Sequence, residues 1–117
     1  KNIALSPKSV DPYNSKAIRS AMGAHFHLNQ ITQDNLIKII PQLKTEGFTI
    51  IGADMDGTSI AEFSPPKKWA LVLGNEAHGI SPHIKSLFDK SITIPQSGDI
   101  ESLNVAVAGG IILNALI

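Results

Sequence analysis

The chain has 117 residues, a length that fits one compact domain built around a modest core. Hydrophobic residues make up 43% and charged residues 17%, with the apolar runs broken by Gly and Pro, which excludes a disordered or fibrous chain. Lys plus Arg and Asp plus Glu number 10 each, so charge alone argues against a free-standing nucleic-acid binder, and the absence of Cys excludes disulfides, thiolate catalysis and thiolate metal ligands.

In chain order, Ile3–Leu5 reads as a first short strand and Ser15 to Met22 as a helix that stops at Gly23. His25–Leu28 is predicted as a second strand. A longer helix covers about Asp34 to Glu46, with Asp34 or Thr32 as N-cap and Gly47 as the stop. Its apolar residues Leu36, Ile37, Ile39, Ile40 and Leu43 should face inward, and Pro41 should kink or split it. Strands follow at Thr49–Ala53, Trp69–Leu73 and Ser91–Ile94; Trp69 is most simply a core residue. Ser81-Pro82 opens a helix through about Phe88, Pro being suited to a first turn. The last helix starts near Ser102. Its stretch Val105 to Ile117 is broken by Gly109, Gly110 and Asn114 and is shorter than the roughly 20 residues that cross a bilayer, so it reads as a buried helix. Strands and helices that alternate in this way predict an α/β fold with a mostly parallel sheet, in a single domain over residues 1–117. Residue 1 is Lys and an apolar run begins almost at once, so the chain is expected to be cut from something longer.

Two stretches carry the chemistry. Leu71-Val72-Leu73-Gly74-Asn75-Glu76-Ala77-His78-Gly79 is a buried strand running into a tight loop whose glycines permit positive φ or close approach of a ligand. Ligands of open α/β sheets gather at the carboxyl ends of strands, and Glu76 places a carboxylate there; the alternative is a plain loop with a solvated Glu. Ile92-Thr93-Ile94-Pro95-Gln96-Ser97-Gly98-Asp99-Ile100-Glu101-Ser102-Leu103-Asn104-Val105 is a second strand-to-loop-to-helix passage. Taken alone, Ser102 and Asn104 read as caps of the last helix.

Taken together, Gly-Asn-Glu-x-x-Gly followed by Ile-Pro and Ser-Leu-Asn-Val-x-Val-Ala resembles the second and third motifs of the SpoU/TrmH-type RNA ribose 2′-O-methyltransferases. Ser9 to Arg19 and Met22-Gly23-Ala24 are similar to the same family, so the likeness covers nearly the whole chain. The resemblance implies a C-terminal deep trefoil knot that holds S-adenosylmethionine. Gly74, Ile94 and Leu103 would contact this donor largely through backbone groups, with Leu73 and Asn75 nearby. Glu76, Ser102 and Asn104 would form the catalytic constellation for methylating a ribose 2′-hydroxyl, of ribosomal RNA in preference to transfer RNA. The family's first motif, with the Arg usually proposed to activate the hydroxyl, is expected before Lys1, and this stretch of chain by itself is expected to transfer methyl groups poorly. Arg19 is not that residue; it is a candidate contact to RNA phosphate, or else a surface residue. The resemblance also implies a cytoplasmic protein and a homodimer through the apolar C-terminal helix, in which Ile112→Glu should give monomer or insoluble protein.

Other readings compete. Thr49 to Thr58 resembles the strand and Asp-x-Asp-Gly-Thr of haloacid-dehalogenase-type phosphatases, with Asp54 as nucleophile, Asp56 as acid/base and Mg²⁺ between them. In the methyltransferase reading the same residues make a polar turn after a strand. A catalytically inactive module that binds donor or RNA is the non-enzymatic alternative. His25 and His27 lie two apart without a third ligand at suitable spacing, so they are expected to be packed or exposed rather than metal-binding, and His78 to be a variable loop position.

Overall fold

A computed structural model describes residues 1–98 and 102–117. The Asp99-Ile100-Glu101 part of the second motif stretch lies outside the described residues. The chain divides into two compact units, Lys1–Ile39 and Ile40–Ile117.

In the first unit, β1 (Asn2–Leu5) and β2 (Gln30–Gln33) pair in parallel, from Asn2 opposite Gln30 to Leu5 opposite Gln33. Between them, α1 (Ser15–Ala21) starts at Asn14, whose side chain accepts the main-chain N–H groups of Lys16 and Ala17, at 2.9 and 3.1 Å. It ends where Met22 and Gly23 both take positive φ, 48° and 86°. The strand predicted at His25–Leu28 is instead a 3₁₀ turn, Ala24–His27. Its ladder partner decides the outcome: the N–H of Asn29 bonds the carbonyl of Lys1 at 2.8 Å, so pairing with β1 begins only after Leu28. His25 is tied back through Nε2 to the carbonyl of Pro12 at 2.5 Å, and its ring lies tilted against Tyr13. Since that carbonyl only accepts, Nε2 carries the hydrogen.

The helix α2 (Leu36–Thr45) begins at Asn35 rather than at Asp34 or Thr32. Asn35 accepts the N–H of Ile37 at 3.0 Å, while the Asp34 carboxylate is occupied by the N–H of Asn35 itself. Pro41 lies inside α2, which continues to Thr45. The end is a Schellman closure at Gly47: with φ at 86°, its N–H reaches Lys44 and that of Phe48 reaches Leu43, both at 3.0 Å. Of the five residues predicted to face inward, only Ile40 is fully buried, and Ile37 is exposed.

The second unit holds a parallel three-stranded sheet in the order β4-β3-β5, with β3 (Thr49–Ser59) at the centre, β4 (Trp69–Val72) on one side and β5 (Lys90–Thr93) on the other. Adjacent strand residues point to opposite faces, and Ile50 and Ile51 are both fully buried, so both faces of β3 are covered. On the Ile51 side, Ile92 from β5 packs with Ile112 and Leu116 of α4 (Val105–Leu116), with Trp69, Leu71 and Leu73 around them. Each of the fully buried isoleucines Ile51, Ile92 and Ile112 contributes about 1.5–3 kcal/mol. Gly52 has no room for a side chain, because a Cβ there would run into the Phe88 ring. α3 (Pro82–Lys85) is a single turn capped by Ser81 and shorter than predicted. The chain leaves it through Leu87 and Phe88 so that the Asp89 carboxylate can accept the N–H of Ile50 at 2.8 Å and pair with Lys44 at 3.0 Å.

Two expectations change in this unit. The Asp54–Gly57 stretch is not a turn: β3 runs through it, pairing Ala53 and then Thr58 with the same residue, Ile92, so the intervening residues bulge out of the ladder. Gly57 makes the bulge possible, since a Cβ there would come within 2.5 Å of the Ile92 backbone. Ile112, 1% exposed, belongs to the chain's own core, so a charge there would disrupt this unit itself. The exposed large apolar residues of α4 are Val107, Ile111 and Leu113, followed by the terminal Ile117.

Candidate active site

The carboxyl ends of β3, β4 and β5 open into a cleft of about 310 Å³ closed on one side by the start of α4. This is where ligands collect in parallel sheets, and the volume is at the low end for small-molecule sites. Its wall includes Leu73, Gly74, Asn75, Glu76, Ile94, Ser102 and Leu103, seven of the eight residues singled out for donor binding and catalysis. The eighth, Asn104, is bonded to Glu76.

The loop after β4 is built from its own polar groups. Asn75 and Gly79 exchange two main-chain hydrogen bonds, at 3.0 and 2.7 Å, and the Asn75 side chain accepts the N–H groups of Ala77 and His78. The loop closes this tightly because Gly79 has φ of 64° and because Gly74 has no Cβ, which would come within 2.9 Å of Gly79 and Ile80. Of the roles expected of these glycines, positive φ is present at Gly79, while the close approach at Gly74 is by the chain's own Gly79 and Ile80. Glu76 is left at the rim with its carboxylate facing α4, and His78 is exposed.

At the other wall, Asn104 serves two functions at once. Its Oδ1 accepts from Ala106 and Val107, at 2.9 and 3.3 Å, capping α4, and its Nδ2 donates to Glu76 Oε1 at 2.9 Å. The helix amides fix which end of the Asn side chain is oxygen, so the donor must face the carboxylate. The helix starts at Val105 because Asn104 takes the cap; Ser102, expected near its start, is exposed on the cleft wall instead. Ile94 and Leu103 lie outside β5 and α4, so strand and helix ladders do not consume their backbone groups. Gly109 lets α4 approach β4 closely, since a Cβ there would meet Leu73 at 2.9 Å.

Residues that sequence reasoning did not place here are Ile80, Lys85 and Gln96, together with Asp54 and Met55 from the bulge of β3. The signal was available: Asp54 directly follows the strand predicted at Thr49–Ala53, and ligands of parallel sheets gather at strand ends. Asp54 pairs with Lys85 at 2.7 Å. That ammonium holds the Asp54 carboxyl below the usual carboxylate range, against the opposing effect of partial burial. Asp54 and Asp56 are thus not arranged as a metal-binding pair, and among the described residues no group of three His, Asp or Glu side chains is placed to hold a metal ion. Arg19 is in the other unit, exposed in the last turn of α1, where its charge lies near the helix's terminal carbonyls.

Comparison with known proteins points one way. The family model described as the SpoU rRNA Methylase family matches residues 1–114. The chain is 34% identical over 112 residues to the 23S rRNA (guanosine(2553)-2′-O)-methyltransferase RlmP of Bacillus subtilis, covering 95% of this chain and 45% of that protein. It is 42% identical over 82 residues to the tRNA (guanosine(18)-2′-O)-methyltransferase of Aquifex aeolicus, covering 68% and 39%. The crystal structure of the SpoU methyltransferase AviRb from Streptomyces viridochromogenes, in complex with the cofactor AdoMet, superimposes with a TM-score of 0.87 at 25% identity, over 97% of this chain and 47% of that one. The chain spans about half the length of the curated relatives it matches.

Proposed function

The chain belongs to the SpoU rRNA methylase family, and on that premise we propose that its cleft binds S-adenosylmethionine for transfer of the methyl group to a ribose 2′-hydroxyl of RNA. The observation that carries the reading is the Asn104–Glu76 hydrogen bond, which puts a fixed carboxylate on a cleft lined by the donor-binding candidates.

The cleft fits such a donor. Leu73, Ile80, Ile94 and Leu103 offer apolar surface to a flat purine, and the backbone of Ile94 and Leu103 is available to its polar edge. Gly74 and Asn75 complete the donor wall. When bound, the donor supplies a methyl group on a sulfonium centre whose leaving group is a neutral thioether. Glu76 has one oxygen held by Asn104, and the other, which has no hydrogen-bond partner among the described residues, accepts the hydrogen of the attacking 2′-hydroxyl. The carboxylate thereby aims the hydroxyl's lone pair in line with the methyl and draws the proton off as the oxygen–carbon bond forms. Ser102, on the same wall, supplies a hydroxyl that hydrogen-bonds the nucleophile or its neighbour.

Ribosomal RNA is the preferred substrate class, supported by a likeness to RlmP that covers 95% of the chain against 68% for the transfer-RNA enzyme. Arg19 is assigned to RNA phosphate. The reading includes a deep trefoil knot at the C-terminal end, one domain over residues 1–117, and a homodimer formed through α4. The dimer is supported by Val107 and Ile111, and by Leu113 and Ile117, exposed pairs each one helical turn apart. Among the described residues no helix is long and apolar enough to cross a membrane, and a cytoplasmic setting suits an RNA substrate.

The test is twofold. Calorimetry with S-adenosylhomocysteine should show binding, and heat absent at millimolar ligand with the fold confirmed would sink the donor site. Methyl transfer from labelled donor to ribosomal RNA, measured on protein that also carries the first-motif stretch expected before Lys1 and with the product mapped as a ribose 2′-O-methyl, should be lost in Glu76→Gln.

A further inference from the structure

The Asp54–Lys85 pair lines the same cleft as Glu76, yet the transfer chemistry makes no use of it. It is contributed by separate elements, the bulge of β3 and the single turn of α3. Asp54 is the more covered partner, its side chain 22% exposed against 44% for Lys85. Gly57 supports the bulge that carries it and cannot be replaced without displacing the Ile92 backbone. The cleft therefore presents a held carboxylate on a wall that is otherwise largely apolar.

A carboxylate offers two oxygens with about four acceptor positions; Lys85 takes Oδ2 of Asp54 and the neighbouring N–H groups of Met55 and Asp56 also bear on the carboxylate, which leaves part of its acceptor capacity to the cleft among the described residues. Its remaining acceptors suit a ligand that brings hydrogen-bond donors. Lys85 already neutralises the charge, which disfavours an ammonium group beside it and leaves neutral hydroxyls as the matching donors. A nucleoside carries two such hydroxyls side by side on its ribose. We propose that Asp54 reads the ribose hydroxyls of the nucleoside donor, with Lys85 as the positioning residue that holds the carboxylate toward the cleft. This rests on the donor reading given above.

The test separates the two. The full chain is titrated calorimetrically with S-adenosylhomocysteine and with the analogue lacking both ribose hydroxyls. The wild type should bind the parent at least about tenfold more tightly than the analogue. Asp54→Asn, shown to be folded by circular dichroism, should bind both alike; should that variant not fold, Asp54→Ser is read in the same way. Lys85→Met should reduce the preference and Lys85→Arg restore it, a pattern that loss of general stability would not produce. Equal affinity of the wild type for the two ligands, or full discrimination retained by a folded Asp54 variant, overturns the assignment. Absence of any binding by the wild type overturns the donor reading instead.

Discussion

Asn104 holds Glu76 and starts α4 with the same side chain, its amide nitrogen on the carboxylate and its oxygen on the amides of Ala106 and Val107. Site geometry and helix stability therefore share one residue, and a suitable substitution separates them. Asn104→Ser keeps a capping oxygen and removes the amide donor. Its thermal stability should stay within a few tenths of a kcal/mol of wild type while methyl transfer falls about tenfold. Asn104→Ala should lose about 1 kcal/mol as well. Equal melting temperatures for the Ser and Ala variants would show that the cap contributes nothing.

Two glycines should respond in opposite directions to the same substitution. Gly74→Ala drives a methyl into Gly79 and Ile80 and should cost about 1–3 kcal/mol in urea denaturation, with weaker binding of S-adenosylhomocysteine. Gly110→Ala adds its methyl to open space within α4 and should stabilise by about 0.5–1 kcal/mol. A stabilised Gly74→Ala protein would contradict the packed-loop account.

On α4, neighbouring isoleucines should fail in different ways. Ile112→Ala empties a position that is 1% exposed and should destabilise by about 2–5 kcal/mol. Ile111→Glu sits where the side chain is 39% exposed and should leave the fold intact while converting dimer to monomer in sedimentation. A folded Ile111→Glu protein that sediments as a dimer removes α4 from the interface.

The Asp89 carboxyl is held below its ordinary 3.8, first by the N–H of Ile50 and then by Lys44, with partial burial acting in the opposite direction. A depressed carboxyl favours the folded state when ionised, so its contribution is present above the unfolded value and fades as pH falls through the lower folded one. The stability difference between wild type and Asp89→Asn should thus be constant above about pH 5 and shrink below 3.8. Denaturant melts across that range measure it, and a difference that grows on acidification would mean that the carboxyl is raised rather than depressed on folding.

The sequence brought together residues that line one cleft more readily than it placed the elements around them. The loop from Gly74 to Gly79 and the cap at Asn104 are legible because their geometry is local: a Gly, an Asx turn and an N-cap act within a few positions of themselves, whereas their assignment to donor and catalysis comes from the family resemblance. The strand predicted at His25–Leu28 fails for the opposite reason, since nothing nearby reveals that pairing with β1 starts at Asn29. Asp54–Gly57 reads as a turn on composition and becomes a bulge because Ile92 accepts two partners from the same strand. Ile37 of α2, expected to face inward, and Val107, Ile111 and Leu113 of α4, expected to be a buried helix, are exposed because apolar character marks what can be buried, while the packing beneath decides which residues are.

The loop from Asn75 to Gly79 satisfies its own polar groups with four internal hydrogen bonds. Its shape consequently does not depend on what occupies the cleft. An arriving molecule meets a rim that is already set, so association is governed by entry and desolvation rather than by the ordering of this segment, and little chain entropy is surrendered here on capture.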